Sequence, residues 1–475
     1  MSRIASVLLL LLPLALEAQA PLPAVRAGKA GALQTLSVSL PGTLLGSVPA
    51  RDLAGRPGLA LLVASGKAKS LLFLDPAKPA LVRLADGLHE EVNVVVAFDL
   101  DGDGGATPIV GLPGLLFAPV AGGGVRKVLE EPHLDLRSFA DESRRPRGGD
   151  PLPWIPAARA GLLELLAAGP GGTLARSASF ALPQKAERQR WGIRLTSPAV
   201  SLVPGEGGTQ PVFAVGPEAN GKRRLKTTLL SPADGPAGEP VEAWSLLPGE
   251  ERLMDEQRYL RIDGQPVLAV STFDKIGIFV QKAFRLYFLD RDLSRKGRAP
   301  ALAVPTDCAL WHPLDVVAAD ADGDGLRDVA LVHPEGMNGN ALQILVYKNL
   351  GAGRFDPKPR KVKLGLTAED WRWGSDLTGD GVPDLLVLTG GKLNLYPGEA
   401  GGRPVAARAA WSLSVGAAPE KKGEGNSGGT FDGESLESWR THDLEVMDVT
   451  GDGKEDVVVR VKGEGGRTTL TVVRR

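Results

Sequence analysis

One short segment occurs four times along the chain and constrains it most: FDLDGDGGATPIVGL from Phe98, ADADGDGLRDVALV from Ala319, SDLTGDGVPDLLVL from Ser375 and MDVTGDGKEDVVVR from Met447. Each copy sets an acidic glycine loop in front of a short apolar run. VNVVVAF, LDVVAA and LEVM precede the first, second and fourth loops. Runs of about four to eight β-branched or leucine residues bounded by Gly and Asp read as strands. Each copy is therefore a strand–loop–strand hairpin, and an internal repeat of this kind points to a repetitive architecture.

Weaker copies fill the intervals. ARDLAGRPGLALLV near Asp52 keeps the leading acid and the second strand, while ARAGLLELLAAG, TQPVFAVG and RIDGQPVLAV keep mainly the second strand. The eight second strands are expected to begin near Gly58, Pro108, Gly161, Pro211, Pro266, Asp328, Asp384 and Asp456, at intervals of about 50 to about 72 residues. Each interval has room for four short strands. After DVALV, for example, come NALQILVYKN, KPRKVKLGL and WRWGSD. This predicts an all-β chain forming a single β-propeller of eight four-stranded blades. Seven blades is the alternative, because SFADESRRPRGGDPLPW blurs the third unit. The last unit has strands near Leu444, Val457 and Leu470 and stops one short. LQTLSVSL, ahead of the first unit, is a spare strand whose pairing with the last unit would close the ring and remove an open edge. No linker-like break interrupts residues 21–475, which read as one domain.

Composition agrees with many turns and few long helices: 60 Gly and 37 Pro among 475 residues. A net charge of −1 gives no sign of a nucleic-acid binder. The single cysteine, Cys308, excludes an intramolecular disulfide framework and a cysteine-based zinc site. Residues 1–20 read as a secretory signal peptide. Arg3 lies in the n-region, Val7 to Leu16 form the apolar stretch, and Ala18-Gln19-Ala20 precede the cut. Pro21 is a poor residue after a cleavage point, and an uncut N-terminal anchor is the alternative. No Cys follows the apolar stretch, as a lipoprotein would require, and no later run is long enough to span a bilayer. The expectation is a secreted or periplasmic monomer without a membrane span.

The four good loops fit D-x-[DT]-x-D-G-x-x-[DT]. Their side-chain oxygens come from Asp99, Asp101, Asp103 and Thr107; from Asp320, Asp322, Asp324 and Asp328; from Asp376, Thr378, Asp380 and Asp384; and from Asp448, Thr450, Asp452 and Asp456. Alternating acids around a tight turn direct several hard oxygens inward, which suits Ca²⁺. Gly104, Gly325, Gly381 and Gly453 permit the sharp turn, and the carbonyl of the next residue adds a ligand. An EF-hand needs a bidentate Glu at the twelfth position; here that position is Val110, Leu331, Val387 or Val459, each inside a strand-like run. Solvated acidic turns without metal are the plain alternative.

These loops resemble the FG-GAP, or VCBS-type, repeats of integrin-like β-propellers. The resemblance implies calcium at each loop, with the residues named above as ligands. Thr107 in place of a final Asp implies the weakest site. Thr378 and Thr450 lower the charge without abolishing coordination. With four acids in the Asp320 loop and three in the Asp99 loop, Asp324→Ala is expected to do more harm than Asp103→Ala.

Other motifs carry less. Gly216 to Lys222 nearly matches a P-loop, but Arg223 replaces the Ser/Thr and no helix follows, so a hairpin turn is the reading. Gly425 to Gly429 matches G-x-S-x-G by letters alone, within a glycine-rich tract. Cys308 reads as a small buried residue. Trp311 with His312, Trp371 with Arg372, Trp373, and Trp439 with Arg440 and His442 precede three of the acidic loops, as His89 does a fourth. In a propeller that zone lies on the face opposite the metal loops, where His333 and His133 also fall. Aromatic planes and guanidinium forks there suit a ligand, and packing between blades is the competing role for the tryptophans. The function expected is a calcium-binding recognition module for a protein or polysaccharide ligand rather than an enzyme. A calcium-assisted polysaccharide lyase and a structural part of a cell-envelope assembly are the alternatives.

Overall fold

A computed structural model describes residues 22–30, 33–112, 114–131, 134, 154–159, 162–181, 199–203, 212–218, 224–231, 235–236, 241–245, 254–276, 279–289, 299–309, 312–416, 442–463 and 467–474. Every regular element among them is a strand, and they form eight antiparallel sheets. The chain divides into two compact units. The first comprises residues 1–181, 415–420 and 441–475; the second comprises residues 182–414 and 421–440.

In the first unit, sheet 1 runs Thr43–Arg51, Pro57–Ser65, Ala68–Asp75, Ala80–Leu88, and sheet 2 runs Val94–Phe98, Thr107–Leu112, Leu115–Val120, Gly124–Glu130. Sheet 3 runs Ile155–Arg159, Leu162–Gly169, Thr173–Ala181. Sheet 8 takes strands from both ends of the sequence, in the order Arg26–Ala30, Leu33–Ser39, Thr468–Arg474, Asp456–Lys462, His442–Met447. In the second unit, sheet 4 runs Ala199–Val203, Val212–Glu218, Arg224–Ser231, with Gly235–Pro236 and Val241–Ser245 both on its last strand. Sheet 5 runs Met254–Ile262, Gln265–Ile276, Phe279–Phe288, Leu302–Ala309. Sheet 6 runs Asp315–Ala319, Asp328–Pro334, Leu342–Tyr347, Arg360–Leu364, and sheet 7 runs Asp370–Ser375, Asp384–Thr389, Lys392–Tyr396, Trp411–Ser414.

Within each unit neighbouring sheets stack face to face, and second strands such as Pro57–Ser65 and Asp328–Pro334 are buried on both faces because a neighbouring sheet covers each side. Leu59, Leu61 and Val63 pack toward sheet 8, while Ala60 and Leu62 pack toward sheet 2. In the second unit Val329 and Leu331 pack toward sheet 5, and Ala330 and Val332 toward sheet 7. Burying an aliphatic side chain of this size contributes about 1.5–3 kcal/mol. Outer strands alternate instead: in Arg360–Leu364, Val362 and Leu364 are buried while Lys361 and Lys363 face water, which keeps the edge from pairing. First strands abut from sheet to sheet: Thr43–Arg51 against Val94–Phe98 in the first unit, and Ala199–Val203, Met254–Ile262, Asp315–Ala319 and Asp370–Ser375 in series in the second. Stacked up-and-down sheets with their first strands together are the blades of a β-propeller.

All eight anticipated second strands start within one residue of their expected positions. The spare strand also pairs as expected, Leu33–Ser39 against Thr468–Arg474, with Leu36 opposite Val472. Arg26–Ala30 adds a further strand outside it that the sequence reading did not anticipate. No helix among the described residues is long and apolar enough to cross a membrane. The signal-peptide segment, residues 1–20, lies outside the described residues.

Candidate metal centre

Each acidic loop joins the first two strands of sheet 2, 6 or 7, or His442–Met447 to Asp456–Lys462 in sheet 8, and is wound about its leading carboxylate. Asp99 Oδ1 accepts the Gly102 amide at 2.8 Å and Oδ2 the Gly104 amide at 2.9 Å. Asp320 receives Gly323 at 2.7 Å and Gly325 at 2.8 Å, Asp376 receives Gly379 and Gly381, and Asp448 receives Gly451 and Gly453. Both glycines of each loop have positive φ, for example 77° at Gly323 and 87° at Gly325. A side chain there is strained, so the spacing demands glycine twice. The sequence reading recognised only the second. The signal for the first was a Gly at the fourth position of every copy.

Carboxylates converge in two of the loops. One oxygen from each of Asp99, Asp101 and Asp103 lies within 4.8 Å of the others, and the same holds for Asp320, Asp322 and Asp324. Such all-oxygen, hard-donor sets fit a divalent ion of the calcium class. In the Asp320 loop, Asp322 Oδ1 is buried and makes no hydrogen bond, a cost that a bound cation would relieve. In the loops of sheets 7 and 8, Thr378 and Thr450 stand where the middle acid stands in the other two.

The ninth residue plays a double part. Asp328, Asp384 and Asp456 are buried at the base of their loops. Asp384 Oδ2 accepts the amides of Leu377 and Thr378 at 2.7 and 2.8 Å, and Oδ1 that of Gly398 at 2.8 Å. Asp456 Oδ2 accepts Val449 and Thr450, and Asp328 Oδ1 accepts Asn349 at 2.7 Å. Burial pushes the Asp328 and Asp456 carboxyls up to about 6, and it raises Asp384 as well. Burial also raises Asp99, but the amides of Gly104 and Gly102 more than reverse this and leave it below its ordinary value. Thr107 begins the second strand of sheet 2, opposite Phe98.

Sheets 1 and 5 lack such a set. In sheet 1, Asp52 Oδ1 accepts the amides of Ala54 and Arg56, both at 2.9 Å. The Arg56 guanidinium then bridges Asp52 Oδ2, at 2.8 and 2.5 Å, and Asp75 Oδ2, at 3.0 Å. In sheet 5 a two-residue turn, Asp263-Gly264 with both φ positive, replaces the loop. Asp263 accepts the Arg327 amide at 3.1 Å and Asn349 Nδ2 at 2.5 Å, tying that turn to the Asp320 loop.

The other candidate residues sit at the strand ends remote from these loops. Trp371 and Trp373 are buried in the core between sheets 6 and 7, and Arg372 pairs with Asp370 at 2.7 Å. His312 shares a hydrogen bond with the Met337 carbonyl at 3.2 Å. His333 is fully buried, with Nδ1 3.0 Å from the Pro334 carbonyl, and burial holds its imidazole below the ordinary value. His442 opens its strand, opposite Val461. Trp311, Trp439, Arg440 and His133 lie outside the described residues, as does the glycine-rich tract at 425–429.

No protein-family model matches the chain, and no curated protein matches it. Solved structures do. The Dos1 propeller aligns over 90% of this chain and 92% of its own, at 10% identity and a TM-score of 0.41. An Agrocybe aegerita lectin, solved for its recognition of non-reducing terminal N-acetylglucosamine, aligns over 90% and 99%, at 11% identity and 0.34. The Nup133 β-propeller domain of Vanderwaltozyma polyspora aligns over 77% and 97%, at 10% identity and 0.37. At these scores the fold rests on the sheets and their packing rather than on the likeness.

Proposed function

We infer that the chain is an exported calcium-binding β-propeller of the FG-GAP/VCBS type whose role is recognition of a protein or glycan. The observation that carries the reading is the convergence of three carboxylates in the Asp99 and Asp320 loops, each wound about one leading aspartate. Calcium there would supply charge neutralisation and would cross-link the ends of two strands. The chain's own residues preform the seat, since the leading Asp fixes the turn and, in the Asp320 loop, Asp328 lies buried at its base. Recognition is assigned to the opposite strand ends, where Arg372 and His312 lie. The test is a glycan array run alongside an ultraviolet assay for unsaturated uronate product. Array binding that weakens on Arg372→Ala without a change in calcium affinity supports the reading. Product formation would replace it with the lyase.

A further inference from the structure

We propose that Lys348 is a tethered competitor of the divalent cation in the sheet 6 loop and sets the concentration at which that loop fills. The proposal rests on the calcium reading above. Lys348 directly follows the third strand of sheet 6, and its Nζ lies 2.6 Å from Asp322 Oδ2 and 2.9 Å from Asp324 Oδ2. These carboxylates belong to the convergent set with Asp320. An ammonium and a divalent ion cannot share one set of oxygens, so the metal enters only as the lysine leaves. Its departure is unobstructed, because the side chain is 40% exposed and its charge can move into water. The lysine also serves the seat imperfectly. It bonds Oδ2 of both acids and leaves Asp322 Oδ1, buried, without a partner. Calcium, taking six to eight oxygens, can use what the ammonium leaves.

The loops of sheets 7 and 2 have no lysine at this place, and the cation near the sheet 2 set, Arg51, stands farther off, with Nη1 3.8 Å from Asp103 Oδ2. In sheet 7 the residue following the third strand is Pro397, and in sheet 2 it is Ala121. Arg360 Nη2, 3.5 Å from Asp328 Oδ2, adds a second positive charge at the base of the sheet 6 loop. Counting its four acids therefore overstates the loop's pull on calcium.

The test follows amide exchange in the full chain, stripped with chelator and titrated with calcium chloride. The measured quantity is the calcium concentration at which amides of residues 328–334 gain protection. With Lys348→Gln that midpoint should fall roughly three- to tenfold, the size of one or two exposed ion pairs. The midpoint for residues 107–112 of sheet 2 should not move. Lys348→Arg, which keeps the charge and presents a fork to two carboxylates, should hold the midpoint at or above the native value. An unchanged or higher midpoint in Lys348→Gln overturns the competition while leaving calcium binding intact. Absence of calcium-dependent protection in native chain and variants alike overturns the metal reading and the competition together.

Discussion

In sheet 1 the loop between the first two strands holds Asp52 and Asp75 against the guanidinium of Arg56, at distances of 2.5–3.0 Å. In sheet 2, its neighbour in the same unit, the loop at the corresponding place gathers Asp99, Asp101 and Asp103, with Arg51 Nη1 3.8 Å from Asp103 Oδ2. Both loops bend around a leading aspartate that receives backbone amides. One has a guanidinium bonded directly to both of its carboxylates, while the other has only the more distant, exposed guanidinium of Arg51 against one of its three. On the calcium reading proposed above, the scaffold takes its positive charge from the chain at one loop and from solution at the other. Burial and repulsion between like charges disfavour leaving the carboxylates bare.

The largest effect expected from this contrast is selective loosening by chelator. Each calcium loop contributes RT ln(1 + [Ca]/Kd), about 1.4 kcal/mol at tenfold excess over Kd. EDTA should lower the melting temperature, and amides at 107–112, 328–334, 384–389 and 456–462 should exchange faster. Those at 57–65, served by Arg56, should hold. Uniform loosening that includes sheet 1 would erase the distinction between the two loops.

Arg56→Met should reverse the behaviour of sheet 1. Asp75 and Asp52 are nearly inaccessible and would lose their shared counter-charge. The melting temperature should drop in chelator, and added calcium should recover part of the loss. A drop of the same size with and without calcium would mean that the sheet 1 seat admits only a guanidinium.

A smaller effect concerns pH. Asp328 and Asp456 titrate near 6 in the folded chain against 3.8 ordinarily, so folding tightens their hold on protons. In chelator, their contribution to stability should fall as pH rises from about 4 through about 6. His333, held below 6.5 by burial, acts in the opposite sense, and its contribution is lost as pH falls. Asp328→Asn separates the two. In chelator at pH 7.5 its urea midpoint should exceed that of the native chain, and the calcium response at 328–334 should disappear. A midpoint below the native one would mean that ionised Asp328 is worth more to Arg360 and Asn349 than its burial costs.

What was legible in the sequence was whatever leaves a local mark. Second strands such as Asp328–Pro334 announce themselves because burial on both faces requires an unbroken apolar run between Gly- and Asp-rich turns. The Leu33–Ser39 partner could be inferred because the last unit lacked a strand. Residues that reach the loops from elsewhere left no comparable trace. Lys348, Asn349 and Arg360 come from the far side of sheet 6, and nothing in D-x-D-x-D-G spacing points to them. Trp371 and Trp373, for which packing between blades was one of the two roles open, left a mark in their spacing. With Arg372 between them they alternate, so both tryptophans fall on one face of the strand, and that face is core.

Ser37 and Thr471, whose hydroxyls lie 3.2 Å apart across the strand pair that completes sheet 8, are separated by 434 residues. That separation governs when the sheet can exist at all. A ribosome adding about 5–20 residues per second releases the partner of Leu33–Ser39 only after the 434 residues that lead from Ser37 to Thr471 have been made. Until then this early strand has an unsatisfied ladder and an apolar face in Leu36 and Val38. Contacts so distant in sequence make folding slow, and Leu33–Ser39 must be shielded until Thr468–Arg474 arrives. A circular permutant joining Arg474 to Arg26 and opened at the Gly390-Gly391 turn would shift the waiting strand to a different sheet.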